Sequence, residues 1–280
     1  MLRANRSIEG LSVGDAYGTA VWLYGFHELE GALWPFTDDT VMAINIVRVL
    51  GRLGRIDQNQ LAEEFALSYM SNPRRGYGHS ASKLLAAIAR GKDWRLLSRA
   101  SFGGNGSMGN GGAMRVGPLG AYFAQDETAL LVEQARLSAE VTHAHAEAQA
   151  GAIAVALAAA FASTHDNSNG FLEFVMNHTP ETETRDKLIA ASALPGDAEP
   201  AEAAEKLGNG SNILAQDTVP LAVWLARRNF GSYQKAIEET AGCGGDMDTN
   251  CAIVGGIVAL SAGEGGVPLQ WLRHREMFHI

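Results

Sequence analysis

The 280-residue chain is predicted to be all-α. Three observations carry that reading. Ala, Leu and Glu dominate the long segments, apolar residues recur at helical spacing, and alternating strand-like runs are nearly absent. Helices are expected near 3–23, 40–53, 58–71, 79–90, 112–124, 126–140, 144–163, 170–178, 181–192, 198–207, 213–229, 231–242, 248–263 and 268–277. Gly54, Pro73, Gly91, Gly196, Gly208 and Gly231 punctuate the joints between them. No internal repeat and no linker longer than a loop is visible, so residues 1–280 are expected to form a single domain. That length is enough to bury a sizeable core.

Taken in order, the first helix contains Gly14-Asp15-Ala16-Tyr17-Gly18. Two glycines four residues apart allow close helix packing, and Asp15 on such a face needs a partner, which suits a group supporting a ligand site. The second helix opens with Thr37-Asp38-Asp39-Thr40. One Thr or Asp suffices as a cap, and the helix dipole favours acids in the first turn. Two adjacent carboxylates repel, however, and a cation relieves the repulsion. Capping and metal ligation are both open, and compatible. Further on, residues 103–112 hold six Gly, two Asn, one Ser and one Met. Such a loop, opening a helix, can cradle phosphate with backbone N–H groups, although no Walker lysine is present. Arg115 is expected inside that helix in a structural ion pair.

Val141-Thr142-His143-Ala144-His145 precedes the helix at 144–163, with Thr142 as a possible cap. His143 can pack, cap, or donate a hydrogen bond to an anionic ligand; His143 and His145 as metal ligands are the alternative. The last motif, Gly244-Gly245-Asp246-Met247-Asp248-Thr249, precedes an apolar run at 252–260. Burying Asp246 and Asp248 without a counter-charge is expensive, so a metal is the cheaper explanation. An all-oxygen set of Asp and Thr suits Mg²⁺ or Mn²⁺ and argues against zinc.

Composition narrows the class further. Hydrophobic residues are 46% and charged residues 19%, ordinary for a soluble globular protein. The formal net charge of -9, with no Lys/Arg block, argues against binding nucleic acid or anionic membrane through a bulk field. Cys243 and Cys251 are too few for a disulfide framework and lack zinc-type partners, so a reducing cytoplasmic setting is expected. Ser7, Glu9, Ser12 and Asp15 interrupt any signal-peptide core. The apolar runs at 150–162 and 251–260 are too short to cross a bilayer.

The five motifs together, in this order and spanning 10–260, resemble the ADP-ribosylglycohydrolase family. That family includes the dinitrogenase reductase-activating glycohydrolases and the ADP-ribosyl-acceptor hydrolases. The resemblance implies an all-α orthogonal bundle with a binuclear Mg²⁺ or Mn²⁺ centre. It implies metal ligands at Thr37, Asp38, Asp39, Asp246, Asp248 and Thr249, with Asp39 or Asp246 assisting a water. It implies that ADP-ribose, free or attached to a protein, binds beside the metals. Phe102, Gly106, Ser107, Met108 and Gly109, together with Asn110, resemble the loop that holds the diphosphate and distal ribose in the serine-type branch. His143 matches the family His that faces the phosphates. Asp15 is expected behind the ligands.

Three departures stand out. Met247 replaces the usual Thr of Gly-Gly-Asp-Thr-Asp-Thr, between the ligands, where coordination is expected to survive. Met108 stands where an aromatic often sits. The serine-type branch has a flap glutamate soon after Gly-Asp-x-x-Gly; here Thr19-Ala20-Val21-Trp22-Leu23-Tyr24 has no acid, and Glu28 and Glu30 come later.

Overall fold

Helix follows helix along the chain, as period-3.6 patterning without alternation requires. The computed structural model describes residues 1–26, 29 and 31–280; Glu28 and Glu30 lie outside the described residues. The helices are α1 (Leu2–Tyr24), α2 (Asp38–Leu53), α3 (Gln58–Ser71), α4 (His79–Ala89), α5 (Trp94–Gly104), α6 (Gly117–Tyr122), α7 (Thr128–Glu140) and α8 (Ala146–Thr164). Then come α9 (Phe171–His178), α10 (Glu183–Ser192), α11 (Pro200–Leu207), α12 (Ala215–Arg228), α13 (Tyr233–Gly242), α14 (Met247–Ala262) and α15 (Leu269–His274). Among the described residues the only β-type pairings are isolated bridges, Trp34 with Arg275 and Gly109 with Leu214.

The centre of the bundle is α8, which packs against α6, α7, α12 and α14. A helix apolar all round has to be surrounded. Every residue of α8 from Ala150 to Ala162 is buried. By length and composition α8, longer than the run at 150–162, is the one helix among the described residues able to cross a membrane, but 78% of that span is buried inside the fold.

α1 and α14 make the closest approach. Gly10, Gly14 and Gly18 recur every four residues along α1, on the face that meets Gly255, Cys251 and Met247 of α14. A methyl on Gly14 would collide with the Cys251 carbonyl oxygen, so the backbones touch where side chains would separate them. Ser7 Oγ donates to the Gly256 carbonyl at 2.7 Å and locks the register, while Tyr233 Oη on α13 donates to the Gly10 carbonyl at 2.6 Å and ties α1 to that helix as well.

The connection from α1 to α2 is braced by the C-terminal segment. Trp34 N–H donates to the His274 carbonyl at 2.8 Å, and Glu276 N–H donates to the Trp34 carbonyl at 2.9 Å. Arg75 grips Glu276 with both Nη atoms at 2.6 Å and donates to the Phe36 carbonyl at 2.9 Å. This holds residues 34–37 still just before α2 begins.

Four local expectations change. α5 is a helix absent from the sequence reading; Asp93 caps it, and its backbone leaves helical geometry at Ser101, Phe102 and Gly103, so its regular part is only about two turns long. The helix expected at 112–124 shrinks to α6, because Pro118 in its first turn sets the start, and Asn110–Gly112 form a 3-10 turn instead. Arg115 therefore lies in the turn before α6, not inside a helix. The last helix ends at His274 rather than 277, because Arg275 and Glu276 turn extended to pair with Trp34.

The α1–α14 contact yields a paired test. Gly14→Ala is expected to cost about 1–3 kcal/mol through overpacking. Gly51→Ala, on the exposed face of α2 with only the end of the Met1 side chain nearby, is expected to stabilise by about 0.5–1 kcal/mol through helix propensity. Denaturant unfolding of both variants checks the pair; equal effects would show that α1 and α14 are not in this contact.

Candidate active site

The first acid cluster is built on Asp15. Its carboxylate is fully buried and accepts from Thr37 N–H at 3.1 and 3.0 Å, from Thr37 Oγ1 at 2.9 Å, from Thr40 N–H at 3.1 Å and from Thr40 Oγ1 at 2.6 Å. Thr37 also caps α2, its hydroxyl oxygen accepting from Asp39 N–H at 3.3 Å. Asp38 N–H donates to the Arg75 carbonyl at 2.7 Å. These bonds leave the carboxylates of Asp38 and Asp39 in the first turn of α2, where the dipole favours them.

The second cluster opens α14. Asp246 N–H donates to the Asn209 carbonyl at 3.2 Å, and Asn250 Nδ2 donates to the same oxygen at 2.7 Å. Asn110 Nδ2 supplies two donors: one to Asp246 Oδ2 at 2.6 Å and one to Thr218 Oγ1 at 3.0 Å. Asp248 Oδ1 accepts from Thr249 N–H at 2.9 Å.

Both clusters border one cavity of about 560 Å³. Asp38, Asp39, Asp246, Asp248 and Thr249 line it, and so do Phe102, Gly106, Ser107, Met108, Gly109, Asn110 and His143. Thr37 lies on a neighbouring cavity, and Asp15 sits behind both, bonded to Thr37. Among the described residues, the candidate ligands and substrate-binding residues thus lie in or against these two adjoining cavities.

In the Gly-rich loop some backbone donors are already used. Gly106 N–H donates to the Ser101 carbonyl at 3.0 Å, Gly109 N–H to Ser107 Oγ at 3.1 Å, and Asn110 N–H to the Ile213 carbonyl at 3.2 Å. The N–H groups of Ser107 and Met108 make no hydrogen bond among the described residues. The cradle is therefore narrower than six glycines suggest.

Arg115 corrects its sequence reading. It is fully buried, and no ion pair involves it among the described residues. Its Nη2 donates to the Ser138 carbonyl at 3.0 Å and to Thr142 Oγ1 at 2.9 Å, and its guanidinium lies 4.4 Å from the Phe65 ring centre. Thr142 Oγ1 is also 2.7 Å from His143 Nδ1. Since Oγ1 accepts from Arg115, its own hydrogen is left for Nδ1, which places the ring proton on Nε2. Nε2 lies beside the loop: a methyl on Gly111 would come within 3.0 Å of it, and one on Gly109 within 3.2 Å. Thr142 is thus a relay and does not cap α8; His145 caps it, with Nδ1 accepting from Glu147 N–H at 3.1 Å.

Burial, then the neighbouring Arg115, pushes His143 down to about 3, so the ring is neutral at ordinary pH. The acids move the other way. Burial raises Asp15 and Asp246 to about 7, and burial with mutual repulsion holds Asp38 and Asp39 well above the usual carboxylate range. Asp39 Oδ2 is buried with no partner.

These features fit hard divalent cations: oxygen donors only, carboxylates crowded enough to raise each other, and one buried oxygen left over. Among the described residues no three His, Cys, Asp or Glu side chains gather into a ready-made ion cage. The donor set is therefore divided between two helix starts.

The ADP-ribosylglycohydrolase family model matches residues 2–278. This chain belongs to the ADP-ribosylglycohydrolase family. It is 32% identical over 269 residues to ADP-ribosylhydrolase ARH3 of Bos taurus, covering 84% of this chain and 73% of that protein. It is 30% identical over 290 residues to an uncharacterized protein of Archaeoglobus fulgidus, covering 95% and 88%. A solved structure titled ADP-ribosylglycohydrolase-related protein complex superposes with a TM-score of 0.73 at 22% identity, covering 98% and 93%. That likeness shows the family fold.

Sequence reasoning missed the wall formed by Asn212, Ile213 and Leu214, which lines the same cavity. Asn209 and Gly210 tie this segment to the second acid cluster, and Ala215 N–H ties it to the Met108 carbonyl at 2.9 Å. The run Gly208-Asn209-Gly210-Ser211-Asn212 was the available signal. Ile213 and Phe102 both have left-handed backbones, φ 57° and 53°, and both side chains are exposed. Two bulky residues held this way mark the cavity rim as a functional candidate.

The Arg115–Thr142–His143 relay is checked by ring NMR. His143 is expected to stay neutral from pH 8 to 5, with Nε2 protonated and Nδ1 accepting. Because its folded value lies below the unfolded one of about 6.5, the wild type loses stability as pH falls below 6.5 toward 3 on this account. Ring shifts that titrate near 6.5 would sink the assignment.

Proposed function

We propose that the chain is a metal-dependent hydrolase that cleaves the bond between the anomeric carbon of ADP-ribose and a modified protein side chain. The observation that carries this is the convergence of two acid clusters, a loop with free N–H donors and a neutral His on one cavity. Its volume falls within the usual range for a small-molecule site. Family membership and the ADP-ribosylhydrolase relatives support the same direction.

In this reading Thr37, Asp38, Asp39, Asp246, Asp248 and Thr249 would hold two Mg²⁺ or Mn²⁺ ions. Such ions, when bound, supply charge neutralisation and a more acidic water. Ser107 and Met108 N–H bind the diphosphate, with Gly106, Gly109 and Asn110 shaping the loop. His143 donates from Nε2 to a phosphate oxygen, and Phe102 covers the distal ribose. Asp39 or Asp246 takes the proton from the attacking water. The water oxygen bonds to the anomeric carbon as the bond to the acceptor breaks through an oxocarbenium-like state, and the carboxylate passes the water's proton to the departing acceptor. Two free thiols and no disulfide support a reducing, cytoplasmic setting.

One observation favours a second reading, ADP-ribose binding without turnover. The α1 segment Thr19 to Tyr24 brings no carboxylate to the acids, although Thr19, Trp22 and Leu23 line the neighbouring cavity.

Release of ADP-ribose from arginine-linked and serine-linked peptides, with Mg²⁺ and with EDTA, tests both. Metal-dependent release from at least one peptide is expected, and the linkage released identifies the acceptor. Asp39→Ala and Asp248→Ala are expected to lower kcat/KM at least about a thousandfold. Full activity of either variant with metal present refutes the two-metal reading; binding without release by the wild type selects the silent scaffold.

A further inference from the structure

A glycosidic substrate has two halves joined at one bond, so a site that cleaves it needs two spaces meeting at the reacting groups. The structure has them. A second cavity, about 620 Å³, adjoins the first and shares Asp246, Asp248 and Gly76 with it. Its other walls have a different chemistry. It lacks the Gly-rich loop, and it is bordered by Trp22, Leu23, Pro35 and Phe36 together with Asn72, Arg74 and Arg75.

The two arginines are not equivalent. Arg75 is committed to Glu276 through two hydrogen bonds. Arg74 is exposed and makes no ion pair among the described residues. Trp22 is 72% exposed and Leu23 46%. A large exposed aromatic and an exposed cation bordering one cavity are what recognition surfaces use to hold a peptide.

We infer that this second cavity holds the acceptor segment of the modified protein, and that Arg74 with Trp22 selects a segment with acidic residues next to the modified side chain. The inference rests on the hydrolase reading for the meaning of the shared carboxylates. The ADP-ribose half fills the first cavity, the bond to be broken lies over Asp246 and Asp248, and the peptide runs out across Trp22 and Arg74. An acidic flank meets Arg74 at the rim, where a charge acts on encounter and specificity more than on the chemical step. A lysine flank meets the same charge and is disfavoured.

The test uses the full chain and three probes: free ADP-ribose, a mono-ADP-ribosylated peptide with Glu and Asp flanks, and the same peptide with Lys flanks. Affinity is read by competition with labelled ADP-ribose and turnover by ADP-ribose release in Mg²⁺. The wild type is expected to favour the acidic peptide by roughly tenfold in affinity or kcat/KM. Arg74→Glu is expected to reverse that order and Trp22→Ala to weaken both peptides, with affinity for free ADP-ribose unchanged. Equal treatment of the two peptides by the wild type overturns the inference, as does an Arg74→Glu variant that keeps the wild-type order. If no peptide is hydrolysed, the hydrolase reading fails by itself. The competition data still decide the cavity: a preference for the acidic peptide that Arg74→Glu reverses supports it, and equal affinities refute it.

Discussion

The site rests on two positions of one helix. Asp15 and Gly18 are three residues apart on α1 and so lie on neighbouring parts of its surface. Asp15 binds Thr37 and Thr40, which sets the start of α2 and the direction of Asp38 and Asp39. Gly18 meets the backbone of Met247 and Asp248, which seats the start of α14. The spacing between the two acid clusters is therefore fixed by less than one turn of α1. A side chain at Gly18 or a lost acceptor at Asp15 moves one cluster relative to the other without touching either.

That geometry is costly to hold. Buried carboxylates are stable only with donors or a counter-charge. Asp15 has five close donor contacts from Thr37 and Thr40, and its orientation is settled by them. Asp39 has an oxygen with none. The nearby buried cation, Arg115, is near enough to Asp38 and Asp39 to sense them, yet burial lowers it to about 9 and its hydrogen bonds go to Ser138 and Thr142. Its charge is used to set the proton on His143 and keep that ring neutral. The charge on the acids is left to be met from outside the chain, which supports the divalent-cation reading more directly than the residue types alone.

Much of this was legible in the sequence, and the parts that were not have physical reasons. The acids announced themselves because two adjacent carboxylates at a helix start exceed what capping needs, and both clusters proved to border one cavity. The glycines of α1 were read as a packing face, and they are one. α5 escaped because its regular part, before the non-helical backbone at Ser101, is only about two turns long and runs straight into the Gly-rich loop. Arg115 was misplaced because helical composition around Ala113 and Met114 outweighed the Pro118 signal for a later start. The Asn212–Leu214 wall was missed because its link to the cavity is tertiary: carbonyl and amide bonds from Met108, Asn110 and Asn209 bring it there, and backbone bonds leave no mark on residue type. The relay from Arg115 to His143 was invisible for a similar reason, since it passes through a threonine that looked like a cap.

The placement of Asp246 and Asp248 on the border of two cavities, with Asp38 and Asp39 on the first alone, gives the arrangement its logic. A site for a single small molecule needs one enclosed space with polar groups along its walls. Here two of the acids stand where two spaces join, and the walls on either side differ in kind. On one side lie backbone donors, a neutral imidazole and the exposed rim residues Phe102 and Ile213, which suit a diphosphate and its sugar. On the other lie an aromatic, an aliphatic residue and an exposed arginine, which suit a polypeptide. On the proposed function, hydrolysis at a junction of that form would separate a nucleotide sugar from a protein with each half held by its own surface. The reacting bond is then positioned from both ends, and positioning of that kind accounts for a large share of the barrier lowering available to an enzyme.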